Sequence, residues 1–382
     1  MSLLDLRDPA FIADPYPTWA RIRADDPVHW SDRHRSWFLT RHADCETFFS
    51  DPALTADRGK AAKGGGVSMR RTTRSIGSDP PEHTAVRRLA QRGFTAREVE
   101  VLRPRIEAMV HRLLERIHGD FDLIADFAYP LPITVIAELF GVPENDRPQF
   151  SAWSRQMAEG MDRFYKKDNT FGGEGMGAYV ASLVKKRTKK PGDDLISRML
   201  EAEDDDALTP GEVTQLCTLL VFAGHETTTN LIGNGMLALL HAPEQLAALR
   251  AADPAGMRTA TEELLRFDSP AQMINRAVMT DTKIGGVELR SGDSVVAVLG
   301  AANRDPDRFV RPDELDVTRH PNPHLAFGQG VHFCLGAALS RREAQIAVPA
   351  LLEHFRDLQL AAPPVWRPTA VLRGLESLPL GV

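Results

Sequence analysis

Apolar side chains recur at helical spacing along much of the chain, most clearly between residues 80 and 267. An apolar residue at every third or fourth position gives a helix one hydrophobic face. This pattern predicts helices over residues 80–92, 96–118, 145–165, 174–190, 210–240, 243–251, 255–267 and 337–355. The chain is therefore expected to be built mainly from helices.

Alternation of apolar and polar residues replaces the helical pattern near residues 271–300, and weaker alternation follows near 369–382. Short alternating runs with glycine turns, such as the one at Gly285, are typical of β-strands. Residues 303–325 are rich in Pro and Asp and predict a long ordered loop. No change in composition marks a linker, so we expect one mainly α domain with minor β-sheet over residues 1–382.

Composition and charge narrow the class of protein. The 382 residues are 43% hydrophobic and 26% charged, which favours a large folded core. A net charge of −6 gives no sign of general nucleic-acid binding. No stretch approaches the ~20 apolar residues of a membrane span, and the N-terminus lacks a signal-peptide pattern. We expect a cytoplasmic protein without nucleic-acid or membrane partners.

The segment 327–336 places Cys334 in an irregular loop just before a helix. The free N–H groups at the start of a helix favour a thiolate and lower its pKa. Gly330 permits a turn that other residues resist, and Gly336 lets a flat cofactor approach the backbone. Cys45 and Cys217 lie in apolar helical patterns and are expected in the core. Cys334 is therefore the predicted ligand of a cofactor metal.

The predicted helix 210–240 has an unusual centre. Its N-terminus carries helix-capping residues, but Gly224 and three successive threonines are poor helix formers. Such a local conflict inside a strong helix favours a functional site, although a tolerated threonine cluster explains it as well. Thr227 could donate a hydrogen bond to the carbonyl of Ala223 and open the helix for water.

The spacing of Phe327, Gly330, Cys334 and Gly336 resembles the haem-binding loop of the cytochrome P450 family, the haem-thiolate monooxygenases. The resemblance implies a P450-like domain that holds haem b between a long distal helix, 210–240, and the proximal Cys loop and helix. It implies that Cys334 is the thiolate ligand of the iron.

The segment from Ala223 to Thr227 resembles the oxygen-activation motif of the same family, with Glu226 where many members carry Asp. The resemblance implies that Ala223 and Gly224 make room beside the iron. It implies that Glu226 and Thr227 relay protons to dioxygen.

Glu263 and Arg266 resemble the Glu-x-x-Arg element of the family, a buried structural pair behind the haem. The family often adds an Arg from a Pro-x-Arg-Phe segment, but this chain has Pro312-Asp-Glu-Leu there. Arg319 is the candidate substitute.

Further residues match the resemblance by position. Four cationic side chains are expected at the haem propionates: His83, Arg87, Arg276 and His332. The substrate pocket is expected to be lined by Leu219, Phe222, Ala223, Ala271, Gln272, Met273, Ile274, Asn275, Ala370 and Val371. Glycine-bearing segments near 55–78 and 165–178 are expected to act as lids, although ordinary surface loops remain the alternative.

The resemblance implies a monomeric bacterial enzyme that receives NAD(P)H-derived electrons from ferredoxin and ferredoxin reductase. The substrate would be a small organic molecule of secondary metabolism, free or tethered to a carrier protein, which gains a hydroxyl or epoxide oxygen. One alternative is a haem-thiolate peroxygenase or an enzyme of oxidative phenol coupling. Another is a non-catalytic haem sensor or recruitment protein.

A zinc site offers a different interpretation of the Cys334 region. His320, His324, His332 and Cys334 supply four suitable ligand atoms. A zinc site would explain neither the glycines of the loop nor the centre of helix 210–240, so haem is favoured.

Overall fold

The computed structural model describes residues 4–57, 77–160, 174–201 and 208–382. Most of the two predicted lid segments, 55–78 and 165–178, lies outside these ranges. From Glu174 onward the second segment forms the first turn of a helix, as the predicted helix 174–190 expects.

Helices dominate the described residues, which confirms the mainly α prediction. All the predicted helices are present, and their ends differ from the prediction by a few residues where the structure describes them. Residues 161–165 of the predicted helix 145–165 lie outside the described residues. In chain order the helices are α1 (Pro9–Ala13), α2 (Tyr16–Asp25), α3 (His42–Ser50), α4 (Glu82–Gln91), α5 (Ala96–Leu114), α6 (Pro130–Leu139), α7 (Arg147–Gly160), α8 (Glu174–Lys189), α9 (Leu195–Leu200), α10 (Pro210–Leu240), α11 (Pro243–Arg250), α12 (Pro254–Phe267), α13 (Leu299–Ala302) and α14 (Ala337–His354).

The strands are short, and several fall in the regions of predicted alternation. They are β1 (Val28–Ser31), β2 (Ser36–Leu39), β3 (Leu54–Thr55), β4 (Phe121–Asp122), β5 (Met273–Val278), β6 (Thr282–Ile284), β7 (Val287–Leu289), β8 (Ser294–Val298), β9 (Gln359–Leu360), β10 (Val365–Trp366), β11 (Leu375–Ser377) and β12 (Pro379–Gly381).

The largest sheet has the strand order β1-β2-β8-β5-β3. Strand β2 runs parallel to β8, with Phe38 opposite Val296. Strand β5 runs antiparallel to β8, with Asn275 opposite the same valine. The sheet thus combines an N-terminal hairpin with strands from the last third of the chain.

Helix α10 forms the centre of the helical part and has the bounds that the sequence predicts. The Thr209 hydroxyl accepts a hydrogen bond from the Glu212 N–H, and the Glu212 carboxylate accepts one from the Thr209 N–H at 2.9 Å. This reciprocal cap satisfies two donors that a helix start leaves free. The helix packs against α6, α8, α12 and α14, so it is buried on most of its faces.

The sequence-based prediction missed helix α6 because that helix has almost no polar face. Leu131, Ile133, Val135 and Ile136 are all buried, although they point in different directions around the helix axis. A helix that is apolar all round lacks the periodic pattern of a half-buried one.

A buried ion-pair cluster holds the irregular segment 303–325 against α12. Arg266 and Glu263, both fully buried, pair through two hydrogen bonds of 2.7 and 2.8 Å. Arg266 also donates to the carbonyls of Asn303 and Pro312, at 2.9 and 2.7 Å. The third partner is Arg319, whose Nε lies 3.0 and 3.1 Å from the Glu263 oxygens. The candidate substitute named from the sequence therefore occupies this place.

Candidate active site

The loop that carries Cys334 is fixed by its own backbone. The Cys334 N–H donates to the carbonyl of Phe327 at 2.9 Å. Gly328 and Gly330 have φ angles of 67° and 71°, which favour glycine. A Cβ on Gly330 would lie 3.3 Å from the backbone oxygen of Phe49. The loop therefore requires Gly328 and Gly330, and it delivers Cys334 to the start of α14.

A cavity of about 250 Å³ separates this loop from helix α10. Its described lining is mostly apolar and comes from both walls: Phe94, Ile136, Leu220, Ala223, Gly224, Thr227, Thr228, Leu265, Pro270, Ala271, Ile274, Ala326, Phe327, His332, Cys334, Leu335, Gly336, Leu339 and Ser340. Cys334 on one wall and the threonines on the other thus share one space.

The α10 wall of the cavity is built from Leu220, two small residues and the two hydroxyl-bearing residues Thr227 and Thr228. The Thr227 hydroxyl donates to the Ala223 carbonyl at 2.9 Å, the bond that the sequence predicts. The packing of α10 against α6 also requires a glycine at position 224, because a Cβ on Gly224 would lie 2.6 Å from Cδ1 of Ile136. The Thr227 hydroxyl is therefore fixed at the cavity edge.

Glu226 does not share this wall. Successive residues of a helix point about 100° apart, and the buried Glu226 faces away from the cavity. Its Oε1 pairs with Arg367, and its Oε2 lies 3.5 Å from Nε2 of His225. Sequence reasoning missed both partners. Arg367 is distant from Glu226 in the chain, and His225 stands at the position of the motif that any residue can occupy.

The pKa of the Cys334 thiol is raised, the opposite of the direction expected from the helix start. Although its sulfur is open to the cavity, the surrounding protein removes bulk water, and this desolvation raises the pKa. The N–H groups of Gly336 and Ala337, together with Arg87 and Arg341, act in the other direction. The effect of desolvation on this pKa is therefore larger than the effect of the N–H groups at the start of α14.

The four predicted propionate partners lie near one another beside the Cys334 loop. The rings of His83 and His332 lie 4.2 Å apart. Desolvation, with help from the charges of His83 and Arg276, lowers the pKa of His332 to about 4. Arg276 donates to the carbonyl of Phe48 at 2.7 Å.

Both ring nitrogens of His83 are buried without a hydrogen-bond partner among the described residues. Desolvation lowers the pKa of the Arg87 guanidinium, and the nearby Cys334 acts in the opposite direction. An unsatisfied buried donor beside cationic groups suits an acceptor such as a carboxylate. The cavity, the thiol and these donors therefore fit haem.

A clamp that the sequence did not reveal supports Phe327. Arg341 binds Glu262 through two hydrogen bonds of 2.7 and 2.6 Å, and His324 lies 3.1 Å from the same carboxylate. The Arg341 guanidinium covers the Phe327 ring at 4.5 Å. Desolvation alone would raise the pKa of Glu262, but the bonds from His324 and Arg341 hold it at about 2.

The structure separates the predicted pocket residues into two groups. Ala271 and Ile274 line the cavity together with Ala223. Met273 and Asn275 flank Ile274 on the strand, so their side chains point to the other face of the sheet.

Five other residues were expected in the pocket but do not line this cavity. Gln272 is buried and donates to the carbonyl of Ser269 at 2.8 Å. Ala370 and Val371 pack in a separate apolar cluster near the N-terminus. Phe222 is buried in the helical core, and Leu219 is exposed.

Neither the zinc interpretation nor a membrane span finds support in the described residues. No three His, Cys, Asp or Glu side chains come together there in a way that could hold a metal, so the zinc set is wrong. None of the helices in those ranges is long and apolar enough to cross a bilayer. Cys45 and Cys217 are buried, as predicted.

Comparison with known proteins gives one consistent family. The family model "Cytochrome P450" matches residues 179–252 and 257–365. The chain is 43% identical to Cytochrome P450 107B1 of Saccharopolyspora erythraea, over 98% of this chain and 96% of that protein. It is 40% identical to the Cytochrome P450 monooxygenase PikC of Streptomyces venezuelae, over 97% of this chain and 91% of that protein.

The fold is likewise similar to solved structures. One is P450BioI in complex with acyl carrier protein ligated to hexadec-9Z-enoic acid, with a TM-score of 0.90 and 37% identity. The match covers 98% of this chain and 100% of that one.

Proposed function

Because the chain belongs to the cytochrome P450 family and is a haem-dependent monooxygenase, we propose that it adds one oxygen atom of dioxygen to a small organic substrate of secondary metabolism. The observation that carries this proposal is the shared cavity, in which Cys334 faces the α10 wall with Thr227. A sensor would need the thiolate but not a fixed hydroxyl across from it.

Cys334 would be the single protein ligand of haem b, and the cations beside it would bind the haem carboxylates. Bound haem supplies the activation of dioxygen that no side chain of the chain can provide. To bind the haem carboxylates, His83 offers two buried, unpaired ring nitrogens, and Arg87 and Arg276 supply positive charge. His332 contributes a ring that is neutral near pH 7, since its pKa is lowered to about 4. The Glu262–Arg341 clamp would keep Phe327 and the loop in place.

The chain itself would bind the substrate, exclude water and position protons. The apolar side chains of Ala271 and Ile274 would contact an apolar part of the substrate. The Thr227 hydroxyl would hold a proton donor at the cavity edge, and Glu226 would supply protons from the buried side of α10. Positioned proton transfer typically contributes about 10²–10⁴-fold in rate.

Electrons would come from NAD(P)H through ferredoxin reductase and ferredoxin, as membership of the family implies. A carrier-tethered substrate is supported by the similar P450BioI, which was solved with a loaded acyl carrier protein. Comparing the spectral shift caused by a free acid with that caused by the same acid on a carrier would test this point.

The deciding experiment is the spectrum of the reduced protein with carbon monoxide. Wild type should show the red-shifted Soret band of a thiolate-bound haem, and Cys334→Ala should lose it. Cys45→Ala and Cys217→Ala are matched controls that should keep the band, because both thiols are buried away from the cavity. A wild-type protein that binds no haem would overturn the proposal.

Turnover then separates the monooxygenase from its alternatives. Product formed from dioxygen and NAD(P)H, with a surrogate ferredoxin, supports the monooxygenase. Product formed only when hydrogen peroxide is added would favour the peroxygenase. Haem binding without turnover under either condition would favour the sensor.

A further inference from the structure

His225 is a buried titratable residue to which the proposed function gives no role. It lies on α10 next to Glu226, and its side chain has no exposed surface. Its Nδ1 lies 2.8 Å from the carbonyl oxygen of Val221. The Ser154 hydroxyl on α7 lies 3.2 and 3.3 Å from the two ring nitrogens, and the Tyr129 ring packs edge-on at 5.5 Å.

These contacts fix the tautomer of the ring. A carbonyl oxygen only accepts, so Nδ1 must carry a hydrogen to bond Val221. Burial lowers the pKa of His225 to about 4, with the charges of Arg367 and Arg155 acting in the same direction, so the ring is neutral on its own. Nε2 is then an acceptor, and it is the atom that faces Glu226.

The Glu226 carboxylate has two differently satisfied oxygens. Oε1 pairs with Arg367, whereas Oε2 is buried without a hydrogen bond and lies 3.5 Å from Nε2 of His225. Two acceptors facing each other inside a protein repel unless a proton lies between them. The contact is stabilising only when the pair holds one proton.

We propose that His225 is a positioning residue for Glu226. Its Nε2 shares one proton with Oε2, and together with Arg367 it holds the carboxylate behind Thr227. Through Ser154 the same ring connects this carboxylate to α7. The role in turnover rests on the proposed function, but the contact itself does not.

The first test is a double-mutant cycle on urea unfolding. The variants are His225→Phe, which keeps an aromatic ring, His225→Gln, which keeps a polar group near the place of Nε2, and Glu226→Gln. His225→Phe and Glu226→Gln should be non-additive, with the double variant less destabilised than the sum of the two. Additive effects would show that the side chains of His225 and Glu226 do not interact, and would overturn the proposal.

The second test is the rate of NAD(P)H oxidation with dioxygen, ferredoxin and its reductase, without added substrate. His225→Phe should lower the rate several-fold, as Glu226→Gln does, and His225→Gln should stay within about twofold of wild type. A role in packing alone predicts the reverse order, with Phe tolerated and Gln not. That order, or a wild-type rate in both, would overturn the proposal.

Tyr129→Phe is the matched control, since it keeps the ring against His225 and removes only the hydroxyl that bonds the Ser151 carbonyl. Its effect on unfolding should add to that of Glu226→Gln, and its rate of NAD(P)H oxidation should match wild type. The unfolding cycle needs no turnover, so a failure of the proposed function would leave its outcome intact.

Discussion

The hydroxyl of Thr227 is held at the cavity edge by a bond to the preceding turn of α10. Its removal should leave the helix and the cavity in place. Thr227→Ala should still consume NAD(P)H but release hydrogen peroxide in place of product, because protons no longer arrive in position. The measurement is peroxide formed per NAD(P)H, with a substrate found by spectral shift.

Thr218→Ala is the control, since its hydroxyl makes the same bond, to the Thr214 carbonyl, away from the cavity. It should keep the wild-type ratio of product to peroxide. Unchanged coupling in Thr227→Ala would mean that another group, or the substrate, carries the protons.

Glu262 should give the protein part of its stability toward acid. Its pKa is about 2 in the folded protein, below the ~4.3 of an unfolded chain, so the stabilisation is complete above about pH 5 and lost as pH falls toward 2. The effect should be about 1–2 kcal/mol, because solvent screens a carboxylate that is about a quarter exposed.

Glu262→Gln should therefore reduce the slope of unfolding free energy against pH on the acid side. Glu288→Gln serves as the exposed control and should leave the slope unchanged. An identical acid slope in wild type and Glu262→Gln would show that the Arg341 clamp contributes little.

At the scale of elements, the Glu263–Arg266 pair joins α12 to the irregular segment 303–325. Removing one partner of a buried pair strands the other charge and typically costs ~3–5 kcal/mol. Glu263→Ala should lower the unfolding free energy by about that amount and give protein depleted in haem. Urea unfolding and the haem-to-protein absorbance ratio measure both effects.

The Arg311–Glu314 pair is a matched control, because it has the same spacing of three residues but is exposed. Glu314→Ala should cost no more than about 0.5 kcal/mol. Equal effects of the two alanine variants would show that burial of the Glu263–Arg266 pair is not decisive.

At the scale of the whole molecule, Arg373 ties the two ends of the chain together. It donates to the Ile12 carbonyl at 2.6 Å and to the Asp268 carboxylate at 2.8 Å, and Asp268 also accepts from the Tyr16 hydroxyl. Arg373→Met should lower the unfolding free energy by about 3–5 kcal/mol, since it strands Asp268.

Asp268→Asn should partly rescue Arg373→Met, because the stranded charge is then gone. The exposed variant Arg290→Met, which also removes an ion pair, is the control and should change the unfolding free energy by less than about 1 kcal/mol. A loss of similar size in both arginine variants would contradict this role of Arg373.

Helix positions could be predicted where one face is polar, as in α4 and α12, and the irregular loop that carries Cys334 could be predicted from its glycines. Contacts between segments that are distant in the sequence could not be predicted. Arg367 meets Glu226 and Arg341 covers Phe327 only after the chain has folded. Periodicity also fails for α6, which is apolar all round, and for strands as short as β1.

The parallel pairing of β2 with β8 has a consequence for biosynthesis. Strand β2 ends at Leu39, but β8 begins only at Ser294. At ~5–20 residues per second, the ribosome leaves the N-terminal hairpin without its neighbour for a time on the order of tens of seconds. During that time one hairpin edge is open to other chains. Slower translation or a truncated message should therefore lower soluble yield through aggregation of nascent chains, before any haem can bind.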